Sequence, residues 1–217
     1  ALMSPIWQGL AKMQWKAEHI QSIHDLILDI DLLSGFAKAI DFERHNLNHI
    51  HEQFRSLIKE DKGEYHASLI SIGLPKNLLK PFKYLYISPE AFIDRSQTRA
   101  NRLYRQYLFE GIDLENKRVR LDKISELVEQ VEDNKEDPFN LLSALTMPLS
   151  SNLPESIGTT QVMIHHALIA CEIELYKIER GVYPLNLEEL QKKLPTDVFS
   201  GQSYKYAIDN MSRYRIS

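Results

Sequence analysis

The chain has 217 residues, 43% of them hydrophobic and 26% charged, with a formal net charge of −4. This fits one large domain or two small ones with a core that needs no staples, and it excludes an overall basic field that would gather nucleic acid. The single cysteine, Cys171, excludes an internal disulfide, and no stretch approaches the ~20 apolar residues of a membrane-spanning helix.

The chain opens Ala1-Leu2-Met3 without an initiator methionine. A processed or trimmed product is therefore expected, and an upstream signal or membrane tether is compatible with it. Ser4-Pro5 reads as an N-cap followed by proline in a first helical turn. Ile6, Leu10, Met13, Ala17, Ile20, His24 and Ile27 then recur at alternating spacings of four and three. One helix face is predicted, running to a stop at about Ser34-Gly35. A second helix is expected from Phe36 to about Lys59, with Ile40, Leu47, Ile50, Phe54, Leu57 and Ile58 on its apolar side and Lys62-Gly63 ending it. The short link predicts an antiparallel hairpin of the two.

Pro75 and Pro81 break residues 67–83 into short pieces. Ser88-Pro89-Glu90 repeats the cap-then-proline signal. It predicts a helix to about Phe109, with Phe92, Ile93, Ala100, Leu103, Tyr104 and Tyr107 inward and Gly111 closing it. Leu121, Ile124, Leu127, Val128 and Val131 mark a shorter amphipathic helix that runs into the acidic stretch Glu129–Asp137. From Asp137 to Pro154 prolines and serines predict loop with one short helix. Pro154 to Arg180 is the clearest later helix, striped by Ile164, Leu168, Cys171, Leu175 and Ile178.

Gly181 sits where a left-handed residue would end that helix. Val182-Tyr183-Pro184 turns the chain, and Asn186 with Glu189 forms a capping-box pattern. Leu187, Leu190 and Leu194 give the next short helix an apolar edge, and Pro195 stops it. Residues 196–202 read as a loop, with Gly201 available for a tight turn. Ser203–Ile208 and Arg213–Ser217 each alternate, around turn residues Asp209-Asn210, and predict a two-stranded hairpin. An isolated hairpin is marginal, so it must pack on the preceding long helix. Tyr183, Phe199, Tyr204, Tyr206 and Tyr214 are the residues to fix it there, each contributing roughly 1.5–3 kcal/mol on burial.

The order long helix, Gly181-x-Tyr183-Pro184, Leu-rich turn, Pro195-x-Asp197-x-Phe199-x-Gly201, Tyr204-x-Tyr206 and a second strand resembles the C-terminal regions of type II secretion major pseudopilins. It is similar also to a group of uncharacterised bacterial envelope proteins that end in the same module. The resemblance covers Glu172 to Ser217. It implies a bacterial protein that is exported, periplasmic, and tethered through an upstream segment. Val198 stands where the pattern has proline, and a large helical region precedes the module where a pseudopilin has one N-terminal helix. Pilus assembly and calcium are therefore not carried over.

Three clusters invite chemistry. His45, His49 and Glu52 fall at i, i+4 and i+7 of a helix, a spacing that can bind zinc or iron. The HExxH signature is absent, and a histidine-rich polar face is the commoner meaning. Arg95, Arg99 and Arg102 share a face with Arg105 adjacent, an arrangement suited to an anion or to pairing with carboxylates of the acidic run. His165 and His166 are neighbours and should point to different sides, one exposed and one half-buried. His24, within the first apolar stripe, reads as a hydrogen-bonded core histidine, and Cys171 as a buried structural thiol. No Gly-rich phosphate loop, G-x-S-x-G elbow or Cys-His pair is present, so no catalytic residue and no cofactor is nominated.

The expectation is a mainly α chain: an irregular multi-helix bundle with a small C-terminal two-stranded β-hairpin. Residues 1–153 form a helical body, continuous with the long helix and module of 154–217. The leading function is a non-catalytic envelope domain that binds a partner protein, without nucleic acid. The alternatives are a metal-dependent enzyme using His45, His49 and Glu52, and a helical regulator binding an anionic ligand at Arg95–Arg102.

Overall fold

The structure, a computed structural model, describes residues 4–11, 15–60, 88–133, 152–209 and 213–217. Expectations for Met13, Lys62-Gly63, residues 67–83, residues 137–151 and Asn210 lie outside them. The fold is mainly α with a small C-terminal antiparallel strand pair, as the sequence predicts. In chain order the elements are α1 (Ser4–Ala11), α2 (Ala17–Leu28), α3 (Leu32–Glu60), α4 (Pro89–Phe109), β1 (Ile112–Asp113), β2 (Arg118–Val119), α5 (Leu121–Asp133) and α6 (Asn152–Arg180). A 3-10 turn (Leu187–Leu190), β3 (Tyr206–Ile208) and β4 (Tyr214–Ile216) follow. The chain falls into two compact units. One comprises Ala1–Gly35, Asp113–Val119 and Asn152–Ser217; the other comprises Phe36–Ile112 and Arg120–Ser151.

In the first unit α6 is the spine. Ile164, Ala167 and Leu168 meet Ile27 of α2, with Ile6, Trp7 and Ile23 around them. Ile169 and Ile173 meet Leu190, Tyr204, Tyr206 and Tyr214 of the C-terminal module. Covered on both sides, α6 is buried at every position from Ala167 to Glu174, the mark of a helix enclosed by protein. Of the first helices, α2 lies along α6.

The single helix expected over residues 4–34 is two. α1 ends at Ala11, α2 begins at Ala17, and α3 begins at Leu32 rather than beyond Gly35. Asp31 sets that boundary. Its carboxylate accepts from the Ser34 backbone N–H (2.9 Å) and from the Ser34 hydroxyl (2.7 Å), satisfying an orphan donor of the first turn. α6 starts at Asn152, which puts Pro154 in the first turn, where no N–H is needed.

The module is built as its residues predict, with two changes. Gly181 ends α6 at φ +77, and Gly201 turns at φ +72. Asn186 accepts from the Glu189 N–H (3.2 Å), but Glu189 reaches back to the Leu185 N–H (3.1 Å) rather than closing a capping box. The short helix is a 3-10 turn ending at Gln191, φ 50, before Pro195 is reached. β3 and β4 pair Tyr206 with Ile216 and Ile208 with Tyr214. Tyr183 meets Tyr214 edge to face at 5.3 Å. Phe199 lies on Gly158 of α6, where a Cβ would stand 2.6 Å from the ring. The α6 stripe fades at its end: Leu175 is half-buried and Ile178 exposed.

The β1–β2 pair was not expected. Its turn is held by Asp113, whose carboxylate accepts from the backbone N–H and the amide of Asn116, both at 2.9 Å. β2 joins the module through the Val119 N–H to the Val198 carbonyl (2.8 Å) and the Arg118 guanidinium to the Phe199 carbonyl (3.0 Å).

In the second unit α4 buries all six residues its spacing predicts, and α5 packs on it with Ile124 and Leu127 buried. Gly111 permits that approach: a Cβ would stand 2.7 Å from the Ile124 side chain and from the Tyr107 carbonyl. On α3 the predicted Ile50 is partly exposed and His51 is buried instead. Polar groups run between α3 and α4, with Asn48 accepting from Asn101 (2.7 Å) and Gln97 (2.9 Å).

Candidate functional site

A helix buried all round must satisfy its own polar side chains, because an unpaired one costs free energy. Gln161, His165, Glu172 and Glu174 of α6 do so by fastening its neighbours. Gln161 accepts from the Leu32 N–H (2.8 Å) and donates to the Ile30 carbonyl (3.1 Å), gripping the corner between α2 and α3. The same amide meets His165 Nε2 at 3.0 Å, and His165 Nδ1 donates to the Thr196 carbonyl at 3.1 Å. His165 and His166 do not point apart as expected. Both are half-buried and both face the Tyr204 ring, at 6.2 and 4.7 Å between centroids. Burial pushes both imidazoles below the ordinary histidine value. His166 Nε2 is buried without a hydrogen-bond partner among the described residues.

Glu172 is a second fastening. It accepts from His24 Nε2 (2.9 Å) and Lys192 Nζ (2.7 Å), tying α2, α6 and the module together. His24 is thus the hydrogen-bonded histidine its position predicts, and its carboxylate partner had no signal in the sequence. Glu174 accepts from the Tyr183 hydroxyl (3.2 Å), which accepts from Lys177 (2.9 Å). Between these carboxylates Cys171 is fully buried, and burial, with Glu172 and Glu174 beside it, pushes its thiol up to about 12.

His45, His49 and Glu52 lie on the exposed side of α3, as their spacing requires. Each is engaged differently. His45 donates from Nδ1 to the Asp41 carbonyl (2.7 Å), His49 meets the Gln53 amide (3.2 Å), and Glu52 holds Arg55. Among the described residues no three His, Cys, Asp or Glu side chains are placed to hold a metal ion.

Arg95, Arg99 and Arg102 are brought together. They line one groove of ≈ 690 Å³ with Gln106 of α4 and Gln130 of α5. Arg105 stands outside it, 6.0 Å from the Phe109 ring centroid.

The module itself carries a cleft of ≈ 370 Å³. Its walls are Ile169, Leu187, Leu194, Tyr204 and Tyr206, and Asn186, Glu188, Lys192 and Ser203 supply its polar groups. Sequence reasoning named its aromatic residues as packing but not the space they leave. No protein family, curated protein or solved structure matches this chain. Among the described residues no helix is long and apolar enough to cross a membrane.

Proposed function

We propose that this chain is a non-catalytic domain associated with a bacterial envelope, and that it binds a partner protein through the cleft of its C-terminal module. The cleft carries the reading. It joins apolar and aromatic walls to a few polar groups, the chemistry of an interface pocket that takes one anchoring side chain. At ≈ 370 Å³ it has room for such an anchor. The walls are held in advance by the Tyr204, Tyr206 and Tyr214 packing on α6 and by the Glu172–Lys192 bond. Little ordering remains to oppose binding. The likeness of residues 172–217 to pseudopilin C-termini supports the envelope setting.

The test is a photo-crosslinking amino acid at Ser203, beside the cleft, in the full-length protein expressed at native level in its own host. The expected result is fractionation with the envelope and one discrete adduct, absent when the probe is moved to exposed Lys38 of α3. Recovery in the cytosol, or the same adducts from both positions, would overturn the proposal.

A further inference from the structure

We propose that the groove along α4 and α5 is a binding site for an elongated polyanion bearing several phosphate-type groups. Helical spacing puts Arg95, Arg99 and Arg102 on one face. At 1.5 Å of rise per residue, the first and last are about 10 Å apart along the axis. The opposite face of α4 is anchored in the core by Ile93, Ala100, Tyr104 and Tyr107, all buried. The arginines are therefore carried on a fixed rail.

The electrostatics of the groove run against those of the whole chain, whose net charge is −4. Three lining residues are permanently cationic, because a guanidinium is not deprotonated in proteins. Among the described lining residues one, Asp94, is anionic, and it is engaged from α3 by Arg55 at 2.6 and 3.0 Å. Arg55, which also holds Glu52, thus brings a fourth guanidinium to Asp94. Gln106 and Gln130 add amide donors. The Thr98 hydroxyl already donates to the Asp94 carbonyl (2.8 Å), so it offers an anion no donor.

Each guanidinium presents five N–H groups in a planar fork, so one arginine can hold a protein acceptor and a phosphate oxygen together. A single phosphate reaches only neighbouring arginines in this row, whereas a chain of phosphates meets all three. The ≈ 690 Å³ of the groove lies within the roughly 300–1,000 Å³ usual for ligand sites. This site is independent of partner binding at the module: the cleft belongs to the other compact unit, so failure of one leaves the other standing.

The test is calorimetric titration of the full chain with tripolyphosphate at fixed ionic strength. Orthophosphate and phosphatidylglycerol vesicles are the comparison probes, and Arg95→Gln/Arg102→Gln and Lys38→Gln the variants. All three replaced side chains are exposed, and an unchanged melting temperature without ligand will show that the variants fold. The expected result is saturable 1:1 binding of tripolyphosphate, weakened about tenfold or more in the double variant, unchanged in Lys38→Gln, and about tenfold tighter than orthophosphate. Absence of saturable binding, equal affinity in the double variant, or equal affinity for orthophosphate would overturn the proposal. Binding to vesicles without binding to tripolyphosphate would also overturn it, by assigning the arginines to a lipid surface.

Discussion

Glu172 of α6 and His24 of α2 meet at 2.9 Å with side chains only 7% and 11% exposed. Glu172→Ala removes the acceptor from a buried partner and is expected to cost about 3 kcal/mol. Lys192→Ala removes the partner that is 54% exposed and should cost about 1 kcal/mol or less. Urea unfolding of the two variants measures this. Similar small losses would show that the carboxylate is not the joint.

Stability should fall as the pH drops below about 6.5. Burial holds His51, His165 and His166 below their ordinary value of 6.5, so they remain neutral in the fold while the unfolded chain takes up protons. Their contribution is complete above the unfolded value and is lost as the pH falls through it toward the folded values. A second loss comes lower. Burial raises the Asp31 carboxyl, but Lys117 and Ser34 outweigh it and bring it from 3.8 to about 2, so its contribution fades between those values. His166→Phe should flatten the urea-midpoint profile between pH 7 and pH 5 without loss at pH 7, since it keeps a ring against Tyr204 and removes an unpartnered nitrogen. An unchanged slope would sink this assignment.

Three glycine-to-alanine changes should separate by sign. At Gly35, inside α3 with nothing within 4 Å, alanine should stabilise by about 0.5–1 kcal/mol. At Gly181, φ +77, it should cost about 1–2 kcal/mol from backbone strain alone. At Gly158 it should cost about 1–3 kcal/mol because Phe199 must move. Thermal melts of the three variants decide the order.

Cys171 should label only when the fold opens. Fully buried, with its thiol pushed up to about 12, it offers neither access nor thiolate. The native chain should resist a disulfide reagent that reacts at once in urea; rapid native labelling would contradict the enclosed α6.

Zinc offers a check on the histidines of α3. Glu52 must leave Arg55 to join His45 and His49 around an ion. Equimolar zinc should therefore raise the melting temperature no more in the native chain than in His49→Ala, and a rise lost in that variant would reinstate the cluster as a metal site.

What the sequence disclosed follows the range of each signal. The Ser88-Pro89 start and the Phe92-to-Tyr107 stripe are local, and α4 has the bounds they predict. Gly181, Asn186 and the Tyr204-x-Tyr206 alternation are local too, and the module follows them. The α2–α3 corner was misplaced because Gly35 looked like a stop, while the deciding contact was the Asp31 carboxylate on Ser34. Nothing local could announce that Glu172 would find His24, or that His165 and His166 would share Tyr204. Those pairings depend on which helices meet, and apolar spacing does not encode that. The arginine row was legible as a face; the groove it lines needed Gln130 from another helix.

The assembly of the first unit from distant stretches bears on how the chain is made. Leu32 and its hydrogen-bond partner Gln161 are separated by 129 positions. At ribosomal rates of about 5–20 residues per second, the apolar stripe of α2 leaves the exit tunnel roughly 6–26 s before α6 arrives to cover it. The second unit has most of its residues in hand during that wait, while α2 stays available to chaperones or to other nascent chains. Synonymous codons that slow translation between α2 and α6 would lengthen that exposure and lower the yield of soluble protein without altering a single side chain.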